Sequence, residues 1–246
     1  MNRFLSDFCE AAYLLARFSS PQEGGHAWQT FIQKALHSYD AMATQGPYNL
    51  QLFGMASASG ARHELDGAAG ALHATILTEA KDLQQGITKD DICIFDRKTF
   101  DYYVGLVRRQ LVGLHYKVLA SATPVHASLR KYGFLFGIIL VEPSICPLPV
   151  LVTVAEKADS DEVFPEGLIG QFLDLSGHAC AALEQRYIQE GRYLRFDTRV
   201  LGETELDDLE FLHNEFSECW LDFIDRNRPN YYEQKAADLF RRIGIT

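Results

Sequence analysis

Residues 61–81 read ARHELDGAAGALHATILTEAK, and the fold turns on the second half of that stretch. The run Ala71 to Lys81 has strand-like composition, and its unbroken apolar centre, Ala74 to Leu77, predicts a central strand buried on both faces. Side chains two apart on a strand share a face, so Glu79 and Lys81 project together while Ala80 turns into packing. Gly67 and Gly70 read as turn signals that let Arg62 to Ala69 lie as a neighbouring strand, bringing Asp66 alongside Glu79. Two carboxylates and a lysine so placed can hold a divalent cation beside an activated water, which is the chemistry of phosphodiester cleavage.

Working outward, a polar link after Lys81 ends at Thr88, a helix-capping residue, and Lys89 to Val112 carries apolar residues at Ile92, Phe95, Phe100, Tyr103, Val107 and Leu111. A strand from Tyr116 to Ser121 follows. Thr123-Pro124 reads as cap and first turn of a helix to Phe136, and Ile138 to Val141 as a strand closed by Pro143. Upstream, the first twenty residues predict an amphipathic helix, His26 to Tyr39 a second one, and Tyr48 to Met55 the first core strand. Val150 to Val154 predicts one more short strand. Beyond Ala158 the pattern turns to long helices, Pro165 to about Gln189, Glu203 to Asp225 and Tyr231 to Ile243, with a strand from Arg192 to Val200. The expected class is α/β: a mixed central sheet flanked by helices over residues 1–155, and an acidic, mainly helical extension over 156–246.

The charge is divided along the same line. The formal net charge is −10, yet residues 1–155 carry 13 Lys and Arg against 13 Asp and Glu, whereas 156–246 carry 10 against 20. The whole acidic excess is C-terminal, so a groove in the first part is free to be locally positive despite the overall balance. With 47% hydrophobic residues the chain can bury a substantial core. No charged-then-apolar leader and no apolar run near twenty residues is visible, so a cytoplasmic setting without membrane contact is expected. Five scattered cysteines form no CxxC pair, which argues against a disulfide framework and a structural zinc.

Competing chemistries lack their residues. His63-Glu64 begins an HExxH pattern, but the second histidine position is Gly67. His73, His115, His126 and His178 show no ligand spacing. No phosphate-cradling glycine loop, GxSxG elbow or dinucleotide fingerprint appears. Asp90-Asp91 suits a helix first turn, and Arg108-Arg109 and Arg130-Lys131 are basic pairs on helices, available in principle to phosphates.

Taken together, ARHELDG, ILTEAK, ITKDDICIFDRKTFDYY and KVLASATPVHASLRKYGFLFGIILVEP, spanning roughly residues 61 to 143, resemble the PD-(D/E)XK nuclease superfamily. The resemblance is nearest to its type IV restriction and related prokaryotic branch, and it covers about a third of the chain. It implies a restriction-endonuclease-like core and a metal-dependent DNA endonuclease. Asp66, Glu79 and Lys81 would be catalytic; Asp66, Glu79, the Ala80 backbone carbonyl and Glu64 would be metal ligands, with Mg²⁺ as cofactor and Mn²⁺ as substitute. DNA is the implied partner, and relatives often act as homodimers. Two departures stand out: Leu65 occupies the proline position, and the helix before the first core strand offers Gln29 and Gln33 where many relatives have a glutamate. The missing glutamate and the net negative charge motivate an alternative, a nuclease fold kept as a binding or regulatory module whose acidic C-terminal region engages a protein partner; a third possibility is that the acidic region mimics nucleic acid and covers the active cleft until a partner displaces it.

Overall fold

The computed structural model describes residues 3–19, 25–39, 44–45, 57–71, 74–82, 86–108, 114–158, 164–187 and 201–245. Its elements are α1 (Arg3–Phe18), α2 (Gly25–Tyr39), β1 (Thr44–Gln45), β2 (Gly67–Ala71), β3 (Ala74–Lys81), α3 (Lys89–Arg108), β4 (Leu114–Ser121), α4 (Ala127–Leu135), β5 (Ile138–Val141), α5 (Leu148–Ala155), α6 (Leu168–Tyr187), α7 (Glu203–Asn227) and α8 (Tyr231–Ile243). The strands form one sheet in the order β1-β2-β3-β4-β5. The two-residue β1 and β3 both run antiparallel to β2, whereas β4 and β5 run parallel to β3. The protein is therefore α/β, with a mixed sheet and mostly helical content.

Alternation along the strands divides the interior in two. Ile76, with Ala69, Val118, Ala120, Ile139 and Val141, faces a large core that includes Phe8 and Leu15 of α1, Trp28 and Ile32 of α2, Leu151 of α5, Phe172 of α6, Phe216 of α7 and Leu239 of α8. Leu77, with Ala68, Leu119 and Ile138, faces a smaller cluster made with Ile92, Phe95, Tyr102 and Leu106 of α3. The rings of Phe172 and Phe216 stack at 4.4 Å inside the large core. The helices α6, α7 and α8 thus contribute a layer to the same interior as the sheet.

Several expectations are corrected. Gly67 and Gly70 lie inside β2 and do not form turns around it; β2 starts at Gly67, and β3 starts at Ala74. Glycine and alanine throughout β2 let α2 lie close against it, with Trp28 and Ala69 in one cluster. The helix expected at Thr123-Pro124 starts at Ala127, with His126 as its N-cap accepting from the Ser128 amide. Thr123 is instead held in a tight turn, its amide donating to Ser121 Oγ at 3.2 Å, and the Val125 amide is taken by Glu142 Oε2 at 3.0 Å. Val150 to Val154 is helical, within α5. Pro147 caps that helix and Pro149 sits in its first turn, while Leu148, Val150, Leu151 and Val152 are all buried, so packing overrides the β-branched composition. The strands expected at Tyr48–Met55 and Arg192–Val200, the end of the helix expected to reach Val112, and His73 lie outside the described residues.

Local chemistry accounts for the other boundaries. Thr88 and Asp91 form a reciprocal cap at the start of α3: the Thr88 amide donates to Asp91 Oδ2 at 2.9 Å and the Asp91 amide to Thr88 Oγ1 at 3.3 Å. Gly133 lets α4 approach β5, because a Cβ there would stand 2.9 Å from Leu140 Cδ1. Among the described residues no helix is long and apolar enough to cross a membrane. All five cysteines are free thiols, and Cys9 and Cys146 are buried.

Two buried histidines predict acid sensitivity. Burial, joined by the nearby Arg130 charge, pushes His213 down to about 3, and burial pushes His115 down to about 4. Both are neutral in the native state, whereas in the unfolded chain they take up protons near pH 6.5. The unfolded state therefore binds more protons below pH 6.5, and each site removes roughly 1.4 kcal/mol of stability per pH unit until its native value is reached. Urea midpoints measured at pH 7 and pH 5 are expected to fall, and His213→Leu is expected to make that fall shallower; an equal fall in the variant would remove His213 from the account.

Candidate active site

The site grows from the direction of three strands. β2 is antiparallel to β3, so its leading residue meets the carboxyl end of β3, and the Asp66 amide donates to the Thr78 carbonyl at 3.1 Å. Asp66 Oδ2 then accepts from the Ala80 amide at 2.6 Å. This bond ties the acid before β2 to the residue between Glu79 and Lys81. A strand residue's amide and carbonyl point to the same edge, and the edges alternate. The Thr78 carbonyl serves the β2 side, and the Lys81 carbonyl is taken on the β4 side by the Ala122 amide at 3.0 Å. The carbonyl of Ala80 is thereby aimed to the Asp66 side.

Glu79 and Lys81 share a face, with Lys81 Nζ 3.2 Å from Glu79 Oε1. The Glu79 side chain is only 7% exposed, so its charge is stabilised by ammonium groups more than by water. Lys81 also lies 3.7 Å from Asp91 Oδ1. Burial works against the Lys81 charge, but Glu79, Asp91 and Asp66 outweigh it and raise the ammonium above its ordinary range. Lys81 is accordingly a donor and a positive charge in this arrangement, not a proton acceptor. Asp66 is half-buried; burial, with the Glu79 charge adding to it, raises its carboxyl, against the pull of the Ala80 amide, Lys81 and Lys98.

Three helical residues complete the setting. Gln29 of α2 donates to Asp66 Oδ1, and Gln33, one turn on, donates to the Asp66 carbonyl at 2.6 Å. Lys98 of α3 donates to Glu79 Oε1 at 3.0 Å, Glu79 Oε2 at 3.3 Å and the Glu64 carbonyl at 2.8 Å. Glu64 is an exposed residue, and what it brings to the site in this structure is that backbone carbonyl. Lys98 and Asp91 were not read as site residues from the sequence. The available signal was their spacing of seven on one helix, two turns on the same face, over the end of β3.

The segment leading to Asp66 is pinned onto α3. Asp101 receives the Ser59 amide at 2.9 Å and lies 2.7 Å from His63 Nε2, Tyr102 donates to the His63 carbonyl at 2.9 Å, and Arg108 donates to the Ala58 carbonyl at 3.0 Å. Burial opposes ionisation of Asp101, but the Ser59 and His63 bonds hold its carboxyl below the usual range. The basic pairs are largely spent on structure. Arg130 is tied to Glu142 at 2.6 Å in a nearly buried ion pair, Lys131 pairs with Asp207 of α7, and Arg109 lies outside the described residues.

Among the described residues no three His, Cys, Asp or Glu side chains gather as a metal cluster. Asp66 and Glu79 are close enough to interact electrostatically, and carboxylate oxygens suit a hard cation such as Mg²⁺ or Mn²⁺. No protein-family model, curated protein or solved structure matches the chain.

Proposed function

We propose that the chain is a Mg²⁺-dependent endonuclease of the PD-(D/E)XK type that hydrolyses phosphodiester bonds of DNA, with Mn²⁺ as an alternative cation. The observation that carries the reading is the Asp66–Ala80 bond at 2.6 Å, which joins the acid before β2 to the Glu79-Ala80-Lys81 end of β3. The order α2, β1, β2, β3, α3, β4, with this junction at the open end of β3, supports a restriction-endonuclease-like core. The oxygen donors fit the cation: Asp66, Glu79 and the Ala80 carbonyl would hold it. When bound, it supplies positive charge against the charge that develops on phosphorus during displacement.

The side chains supply the rest. Lys81, kept as an ammonium by Glu79 and Asp91, orients a water for in-line attack and offsets charge on a phosphate oxygen. Gln29 and Gln33 fix the orientation of Asp66, and the Asp101, Tyr102 and Arg108 bonds fix the segment that delivers it. The test is nicking of supercoiled plasmid and cutting of single-stranded DNA with Mg²⁺ or Mn²⁺, stopped by chelator; purified protein that leaves both substrates intact defeats the reading.

One observation favours a second reading. Gln29 and the Ala80 amide already occupy one oxygen each of Asp66, and α2 brings amides where a further acid would strengthen cation binding. The fold would then serve as a binding module. Calorimetric titration separates the two, since a folded protein that takes up neither Mg²⁺ nor Mn²⁺ belongs to the second.

A further inference from the structure

Lys98 stands where its ammonium competes for the Glu79 carboxylate. Both carboxylate oxygens are within 3.3 Å of Nζ, and the Glu64 carbonyl, 2.8 Å away, gives the same ammonium a third oxygen. Three oxygens around one positive charge, two of them from a 7% exposed carboxylate, are the surroundings a small cation would otherwise use. Lys81 lies on the same carboxylate but is shared with Asp91, and the short β3 backbone holds it beside Glu79. Lys98 differs in coming from a separate element, α3, and in bridging Glu79 to the Glu64 carbonyl of the segment that leads to Asp66.

We propose that Lys98 is a displaceable counter-ion of Glu79, drawn off by a nucleic-acid phosphate, so that substrate and divalent cation bind with positive coupling. The inference rests on the nuclease reading above. Lys98 is a positioning residue in this scheme, because it acts through Glu79. Before substrate arrives, its ammonium neutralises a carboxylate that burial would otherwise make costly. A phosphate at the mouth of the site offers the ammonium a second anionic partner, and each move of Lys98 away from Glu79 frees Oε2 and leaves Oε1 to Lys81 alone. Coupling of this kind is reciprocal: the cation, by taking Glu79, releases Lys98 to phosphate. A protein built this way stays a weak metal binder until nucleic acid is present.

The measurement is calorimetric titration of Ca²⁺, an oxygen-seeking probe ion, into wild-type protein, Lys98→Met and Lys98→Arg, each alone and with a short duplex DNA whose strands are checked for integrity afterwards. Without DNA, Lys98→Met should bind the ion about tenfold more tightly than wild type, the size of an ordinary coupling between sites. Lys98→Arg, which keeps a charge on Glu79, should bind no better than wild type. DNA should tighten ion binding to wild type and do so less for Lys98→Met. A purely structural lysine predicts the reverse, since losing it would disorder Glu79: equal or weaker ion binding by folded Lys98→Met, with ion binding by wild type intact, overturns the inference and leaves the nuclease reading standing. No ion binding by any of the proteins, with or without DNA, overturns both.

Discussion

Lys81→Met is expected to cut DNA about 10²- to 10³-fold more slowly than wild type, the usual cost of losing one preorganised donor at a developing negative charge. The physical basis is the place of its ammonium, 3.2 Å from Glu79 and 3.7 Å from Asp91, which raises its proton affinity and keeps it charged. Methionine preserves length and packing and removes only the charge and its donors. Because Lys81 is no cation ligand, ion binding measured by calorimetry should survive the change. Asp66→Asn is the companion, near-isosteric variant. It keeps an oxygen for the Ala80 amide or for Gln29 but loses the negative charge, so both ion binding and cleavage should fall, and cleavage by more than in Lys81→Met. The pair is scored on plasmid nicking at saturating Mg²⁺, and wild-type rates from either folded variant would remove that residue from the chemistry.

The parts of this site that were legible in the sequence are the ones governed by local rules. The period of two along a strand places Glu79 and Lys81 on one face, and Thr88 before an acid three residues on marks the start of α3. What escaped depends on which elements meet. Lys98 reaches Glu79 only because α3 folds back over β3, and Gln29 reaches Asp66 only because a strand of glycine and alanine lets α2 come close. Gly67 and Gly70 read as turns for the same reason: glycine signals either a turn or a close approach, and local sequence does not separate the two. The Val150 to Val154 stretch failed from the opposite cause. Five residues rich in valine look like a strand, but two prolines at the start of α5 and burial against α1 decide for helix. Arg130 reads as half of a basic pair available to phosphates, yet its partner Glu142 lies twelve residues on, just after β5, and the pair is nearly buried.

The element carrying Asp91 and Lys98 is itself anchored by a buried ion pair, and breaking that pair is the largest stability effect expected in this face of the molecule. Asp96 of α3 is 1% exposed and Lys117 of β4 is 7% exposed; Lys117 Nζ lies 2.6 Å from Asp96 Oδ1 and also donates to the Phe136 carbonyl at 2.5 Å. Lys117 pairs across the sheet with Leu77, two residues before Glu79, so the bond fixes α3 over the strand that bears the site. Asp96→Ala removes the carboxylate and leaves an ammonium buried beside apolar neighbours, a loss of about 3–5 kcal/mol for a pair of this type. The attraction within the pair is largely offset by the cost of drying both groups, so Asp96→Leu combined with Lys117→Met should recover most of that loss. Urea unfolding of the three proteins reads the difference directly. If Asp96→Ala costs under about 1 kcal/mol, the pair behaves as a solvated surface bridge and cannot be what holds α3 in place. If the double variant is as unstable as the single one, the contribution is the geometry of the bonds themselves, including the one to Phe136, and α3 is positioned by hydrogen bonding more than by burial.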